Sequence, residues 1–146
     1  MYDDILVPTD GSDVVETATS HAIELASVCD ATVHAVYAIE PERTTLPSEA
    51  MRHDEVHQEH VDWGEEITAA IAERARDRGL ESATGVTEGV PHEVISDYAA
   101  DNGIDLIVMG TAGRTGLREQ LIGSVTEKTV RTAEVPVLTM RDYDAE

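Results

Sequence analysis

At 146 residues, with 41% hydrophobic side chains, the chain has the length of one compact domain (residues 1–146) and enough apolar material for a core without staples. Its 30 acidic residues against 10 basic ones give a formal net charge of −20, a field that repels nucleic acid and anionic membranes and excludes both as partners. Cys29 is the sole cysteine, so no internal disulfide or cysteine metal cluster forms. With no basic leader and no apolar run near ~18 residues, a cytoplasmic protein is expected.

Aromatics make up only 3% and phenylalanine is absent, so the core must be Val, Ile, Leu, Ala and Met. Such a composition suits parallel strands buried on both faces. The acidic residues are spread along the whole chain and Lys128 is the only lysine. This reads as a solvated surface adapted to a salty, halophilic cytosol rather than as an acidic tail or a cation-binding patch.

In chain order, Ile5-Leu6-Val7-Pro8 reads as a buried strand stopped by Thr9-Asp10-Gly11-Ser12. Ser12 or Asp13 is placed to cap a helix whose Val15, Ala18, Ala22, Leu25 and Ala26 recur at helical spacing. Ala31 to Ala38 is rich in β-branched residues and predicts a second strand. A polar loop with Pro41 and Pro47 follows, then a long helix from about Asp54 to Arg78 that Gly79 terminates. Its apolar positions are Val56, Trp63, Ile67, Ala70, Ile71 and Ala75.

Residues 82–88 predict a weaker third strand. Gly89-Val90-Pro91 opens a helix with Val94, Ile95, Tyr98 and Ala99 as its buried stripe, and Gly103 ends it. Asp105 to Gly110 is the clearest strand. A glycine-rich stretch leads to a helix from about Ser124 to Ala133, and Val135 to Met140 closes the chain as a fifth strand. Strict β-α alternation calls for a parallel α/β sheet with right-handed crossovers.

Ligands of such sheets bind beyond the strand carboxyl ends. Pro8 to Ser12 stands at the first of these ends and Gly110 to Thr126 at the fourth. In the second segment Gly110, Gly113 and Gly116 let backbone approach a ligand, and Gly123-Ser124-Val125 opens a helix whose unpaired N–H groups suit a phosphate. Ser124 and Thr126 offer hydroxyl donors, and Arg114 and Arg118 are two of the chain's few cations. No Gly-x4-Gly-Lys-Ser/Thr sequence is present, so a fast P-loop ATPase is not expected. No Ser-His-Asp arrangement is recognisable. His53, His57 and His60 share a helix face, but lack a second ligand pair, and no metal site or catalytic residue is assigned. His21 and His34 are expected to pack.

The spacing Gly110-x2-Gly113-x9-Gly123-Ser124 resembles the nucleotide-binding motif of the ATP-binding universal stress proteins. ILVPTDGS, DLIVMG and the final VPVL resemble that family in the same order. Thr111-Ala112 departs from it, since many relatives carry Ser and a large polar residue there. The resemblance implies a Rossmann-like five-stranded sheet of order 3-2-1-4-5 with helices on both faces. It places Pro8, Thr9 and Asp10 at the nucleoside, Val36 backbone at the adenine edge and Met109 beside the base. Gly110, Gly113, Gly123, Ser124 and Val125 would surround the phosphates, joined by Arg114, with Mg2+ or Mn2+ held largely by the ATP. It also implies a homodimer through strand 135–140 and a stress-response module that signals to a protein partner. The alternatives are a slow ATPase or nucleotidyl-transfer enzyme using the same pocket, and a nucleotide-free chaperone-like dimer.

Overall fold

The computed structural model describes residues 1–12, 15–41, 47–111 and 123–141, with the backbone course alone for 47–56. The elements run β1 (Asp4–Pro8), α1 (Glu16–Cys29), β2 (Thr32–Ile39), α2 (Pro47–Asp77), β3 (Ser82–Glu88), α3 (Pro91–Asp101), β4 (Leu106–Gly110), α4 (Ser124–Thr132) and β5 (Val137–Met140). All neighbouring strands pair in parallel, in the order β3-β2-β1-β4-β5. The fold is the open α/β sheet that the alternation of elements predicts.

Alternation of side chains along the strands builds two cores, one on each face. Ile5, Val7, Val33, Ala35 and Val108 join Ala18, Ala22 and Ala26 of α1 and Ile71 and Ala75 of α2. On the other face Leu6, Val36, Ile107 and Met109 meet Val94, Ile95 and Ala99 of α3. Small residues on α1 let that helix lie close on the sheet. On α2 the buried stripe is Thr68, Ile71, Ala72 and Ala75. Thr68 hides its hydroxyl by donating to the Gly64 carbonyl at 2.7 Å.

Several boundaries differ from the sequence expectation. The helix expected from about Asp54 begins at Pro47, inside the expected loop, because proline is well suited to a first helical turn. Its far end matches: Gly79 takes φ +76° and the Leu80 amide donates to the Ala75 carbonyl at 3.0 Å, closing the helix. Ser12 does not cap α1, since Val15 is the N-cap and no side chain bonds there. The Ser12 hydroxyl donates instead to the Asp10 carboxylate. Asp13 lies outside the described residues. Asp105 precedes β4, where its carboxylate accepts the Asp3 and Asp4 amides at 2.8 and 3.0 Å and clips β1 to its neighbour. His21 is exposed rather than packed.

His34 is packed, and polar. One ring nitrogen lies 2.8 Å from the Tyr98 hydroxyl and the other 2.9 Å from an Asp4 carboxylate oxygen, so a half-buried chain of hydrogen bonds joins sheet to α3. Burial, reinforced by Asp4, raises the Tyr98 phenol above its ordinary value of 10.0. Below pH 10 the phenol is neutral in folded and unfolded chains alike. Above it the unfolded chain loses the proton first, so this group makes stability fall as pH rises. Urea unfolding should show a decline beyond about pH 10 that is smaller in Tyr98→Phe. An equal decline in both proteins would remove Tyr98 as its source.

No helix among the described residues is long and apolar enough to cross a membrane.

Candidate functional site

The chain leaves β1 toward β2 on one side, and leaves β4 toward β5 on the other. Strand order therefore reverses between β1 and β4, and a crevice opens above their carboxyl ends. Pro8 and Gly110 terminate these two strands at its edge.

Beyond Pro8 the chain folds into a tight, internally bonded turn. The Thr9 hydroxyl accepts the Gly11 amide at 3.0 Å, and the Asp10 carboxylate accepts the Ser12 amide at 2.9 Å. Both are side-chain mimics of a backbone turn. Gly11 sits at φ +79°, where a side chain would be strained. These bonds fix Thr9 and Asp10 at the rim of the crevice.

Val36 is 1% exposed and lies opposite Pro8, and its carbonyl accepts the Thr9 amide at 2.9 Å. Main-chain groups of alternate residues face the same side of a strand. The next β2 residue to face β1 is thus Ala38, and β2 continues to Ile39 although β1 has already stopped at Pro8. Among the described residues no main-chain bond ties Ala38 to the turn that follows β1.

The opposite wall is the start of α4. Gly123 is its N-cap, no side chain caps it, and the first helical bond is the Glu127 amide to the Gly123 carbonyl at 2.9 Å. The amides of Ser124, Val125 and Thr126 therefore precede the helical ladder, where the helix dipole places about half a positive charge. Ser124 is exposed there. Thr126, expected as a donor to ligand, is buried, and its hydroxyl donates to the Gly110 carbonyl at 2.8 Å. The Gly123 amide donates to the Thr111 carbonyl, and the Thr111 amide to the Met140 carbonyl at 2.9 Å. Those bonds lock the mouth of α4 to the ends of β4 and β5. Met109 lies beneath, 5% exposed, in the core under α3. Gly113 and Arg114, with Gly116 and Arg118, lie outside the described residues.

The turn after β1 also packs against α2. Asp10, Gly11, Ser12, Tyr37, His60 and Trp63 enclose a cavity of about 310 Å³. It falls at the lower end of the ~300–1,000 Å³ range of small-molecule sites. Sequence reasoning left Trp63 as one apolar position among several and set His60 aside. The available signal was a lone tryptophan one turn after a histidine, but only the tertiary contact with the β1 turn gives it meaning. A neighbouring groove of about 430 Å³ runs between α1 and α2 and ends at Arg74, which binds Glu16 at 3.1 Å and Ser20 at 3.0 Å. His57 lies 3.7 Å from Glu88 and is not among the residues that line the cavity.

The profile of the universal stress protein family matches residues 1–141. The chain belongs to this family. It is 37% identical over 142 residues to universal stress protein MJ0531 of Methanocaldococcus jannaschii, covering 97% of this chain and 83% of that protein. The solved structure of MJ0577, a universal stress protein of the same organism, superposes with a TM-score of 0.87 at 30% identity and covers 97% of each chain. More distant members share the fold. One was solved in complex with cAMP (23% identity, TM-score 0.62, 96% of this chain and 97% of that one), and one from Archaeoglobus fulgidus in complex with dAMP (22%, 0.64, 94% and 97%).

Proposed function

We propose that this universal stress protein binds ATP in the crevice between β1 and β4 and acts in the cytoplasm as a nucleotide-dependent stress-response module. The observation that carries the reading is the uncapped start of α4, with its leading amides and the exposed Ser124 hydroxyl set at the strand switch point. That set offers backbone amide donors and a hydroxyl able to donate, which suits phosphate. Gly110, Gly123, Ser124 and Val125 surround the phosphates, with Gly113 and Arg114 from the glycine-rich stretch. Pro8, Thr9 and Asp10 take the ribose end, and Met109 underlies the base. Because the Val36 carbonyl already holds Thr9, the backbone that reads the adenine edge shifts to Ala38, the overhanging residue of β2. Family members solved with cAMP and dAMP support an adenine nucleotide as the ligand class.

Mg2+ or Mn2+ travels on the phosphates and neutralises part of their charge. Among the described residues no group of His, Cys, Asp or Glu is arranged to hold the metal without the nucleotide. β5 is an edge strand whose residues are all half-buried, and we assign it as the seam of a homodimer. A ligand biases a partner-binding equilibrium only through unequal affinity for two states, so the unidentified protein partner would distinguish loaded from empty dimer.

Native mass spectrometry of the freshly purified protein, followed by titration with ATP and magnesium in high salt, tests the reading. A dimer taking up about one adenine nucleotide per chain is expected; a protein that ignores ATP overturns the assignment. The net charge of −20 adds a second expectation. It repels a polyanion over long range, and the screening length shrinks from ~10 Å at 0.1 M salt to ~3 Å at 1 M. Affinity for magnesium–ATP should therefore rise with salt by a few-fold over that range. A fall would mean that local arginine contacts outweigh the global field.

A further inference from the structure

Where α2 meets the turn after β1 lies a feature that neither the motif nor the core explains. Trp63 is 41% exposed, although it is the largest side chain of a nearly aromatic-free protein. A side chain of this kind contributes most when its ring is covered, and its N–H when paired. Its ring is pressed against the turn that carries Thr9 and Asp10: a Cβ added to Gly11 would stand 2.7 Å from Trp63 Cζ2 and 3.1 Å from Nε1. The indole N–H donates to no group among the described residues. His60 precedes Trp63 by three residues, so the two share a helix face. Both line the cavity of about 310 Å³ with Asp10, Ser12 and Tyr37. Tyr37 adjoins Ala38 on β2 and Asp10 adjoins Thr9, so this cavity flanks the overhang of β2 past the end of β1.

We propose that Trp63, supported by His60, is the aromatic platform of the nucleoside end, on which a flat heteroaromatic base stacks while the indole N–H serves a ribose or base acceptor. The assignment rests on the nucleotide reading above and deepens it. The α4 amides supply affinity for any polyphosphate. The α2 side supplies discrimination, because only a ligand with a base can cover the indole. The platform is thus a specificity-determining contact outside the glycine motif.

Because the protein contains a single tryptophan, its fluorescence reads the platform directly. The wild-type protein and the variants Trp63→Phe and Trp63→Leu are titrated with magnesium–ATP and with magnesium–tripolyphosphate, by calorimetry for all and by tryptophan fluorescence for the wild type. ATP should change the wild-type fluorescence and tripolyphosphate should leave it unchanged. Trp63→Leu should bind ATP about tenfold more weakly and tripolyphosphate with unaltered affinity, as expected for a lost stacking contact. Trp63→Phe, which keeps a ring against the Gly11 turn, should stay within a few-fold of the wild type. ATP binding to wild type with no fluorescence change, or full ATP affinity in Trp63→Leu, overturns the platform and leaves the nucleotide site standing. If Trp63→Leu does not fold, the wild-type fluorescence decides alone. A wild-type protein that binds neither ligand overturns both readings together.

Discussion

Gly123→Val should lose ATP binding while keeping its fold. Gly123 adopts φ −70° and ψ 161°, an extended conformation open to any residue, so valine introduces no backbone strain. As an N-cap, valine is worse than glycine by up to about 1 kcal/mol, a modest change for a domain of this size. The effect on ligand is larger. In the proposed site Gly123 is the residue over which a phosphate reaches the Ser124 and Val125 amides, and a branched side chain there would block the approach. Hydrogen bonds to a charged group contribute about 1.5–3 kcal/mol each, so losing one or two weakens binding by roughly tenfold to several hundredfold. Calorimetric titration with magnesium–ATP, alongside a thermal melt, separates binding from folding. Unchanged affinity in a folded variant would refute the proposed phosphate site.

Gly64→Ala should destabilise the protein, although helix propensity alone predicts the reverse. In an exposed helix interior this change gains about 1 kcal/mol. Here α2 lies so close to the sheet that an added Cβ would stand 2.5 Å from Tyr37 Cδ2 and 3.0 Å from Val86 Cγ1. Tyr37 is 4% exposed, so its ring has little room to yield. Overpacking of this severity costs about 1–3 kcal/mol or more, which outweighs the propensity gain. The melting temperature should fall by roughly 2–8 °C in a thermal scan. Because Tyr37 also lines the cavity proposed for the nucleoside, ATP affinity should fall with it. A melting temperature above wild type would show that α2 can lift off the sheet at little cost.

The strands were legible because each is short, apolar and bounded by turn residues. β1 and β4 read directly from ILVP and LIVMG, and β-branching marked β2. Parallel alternation followed from their order along the chain, and the family resemblance supplied the order 3-2-1-4-5 that the sheet has. The start of α2 was misread because Pro47 and the polar residues after it carry loop composition, whereas proline equally opens a helix. β5 begins at Val137 rather than Val135, since Pro136 has no N–H to give to a ladder and offers only its carbonyl, to Ile107 at 3.0 Å.

Around the crevice, motif and resemblance nominated residues but could not say which of their polar atoms are already engaged. Thr126 and Ser12 carry hydroxyls suited to ligand or cap, and both are committed internally, to the Gly110 carbonyl and the Asp10 carboxylate. The Val36 carbonyl likewise holds Thr9, and the overhang of β2 past it depends on where β1 stops relative to β2. Trp63 was invisible as a site residue, because its partner, Gly11, is fifty-two positions away and comes near only when α2 crosses the sheet.

The uniform strand direction has a practical consequence for anyone attaching something to this protein. The chain enters the sheet at Asp4, on the rim held by Asp105, and leaves it at Met140, beside Thr111 and the mouth of α4. An affinity handle or fluorescent fusion placed before Asp4 starts on the rim opposite the crevice. The same cargo placed after Met140 starts at the crevice itself, and would crowd both the ligand and whatever docks against the β5 edge.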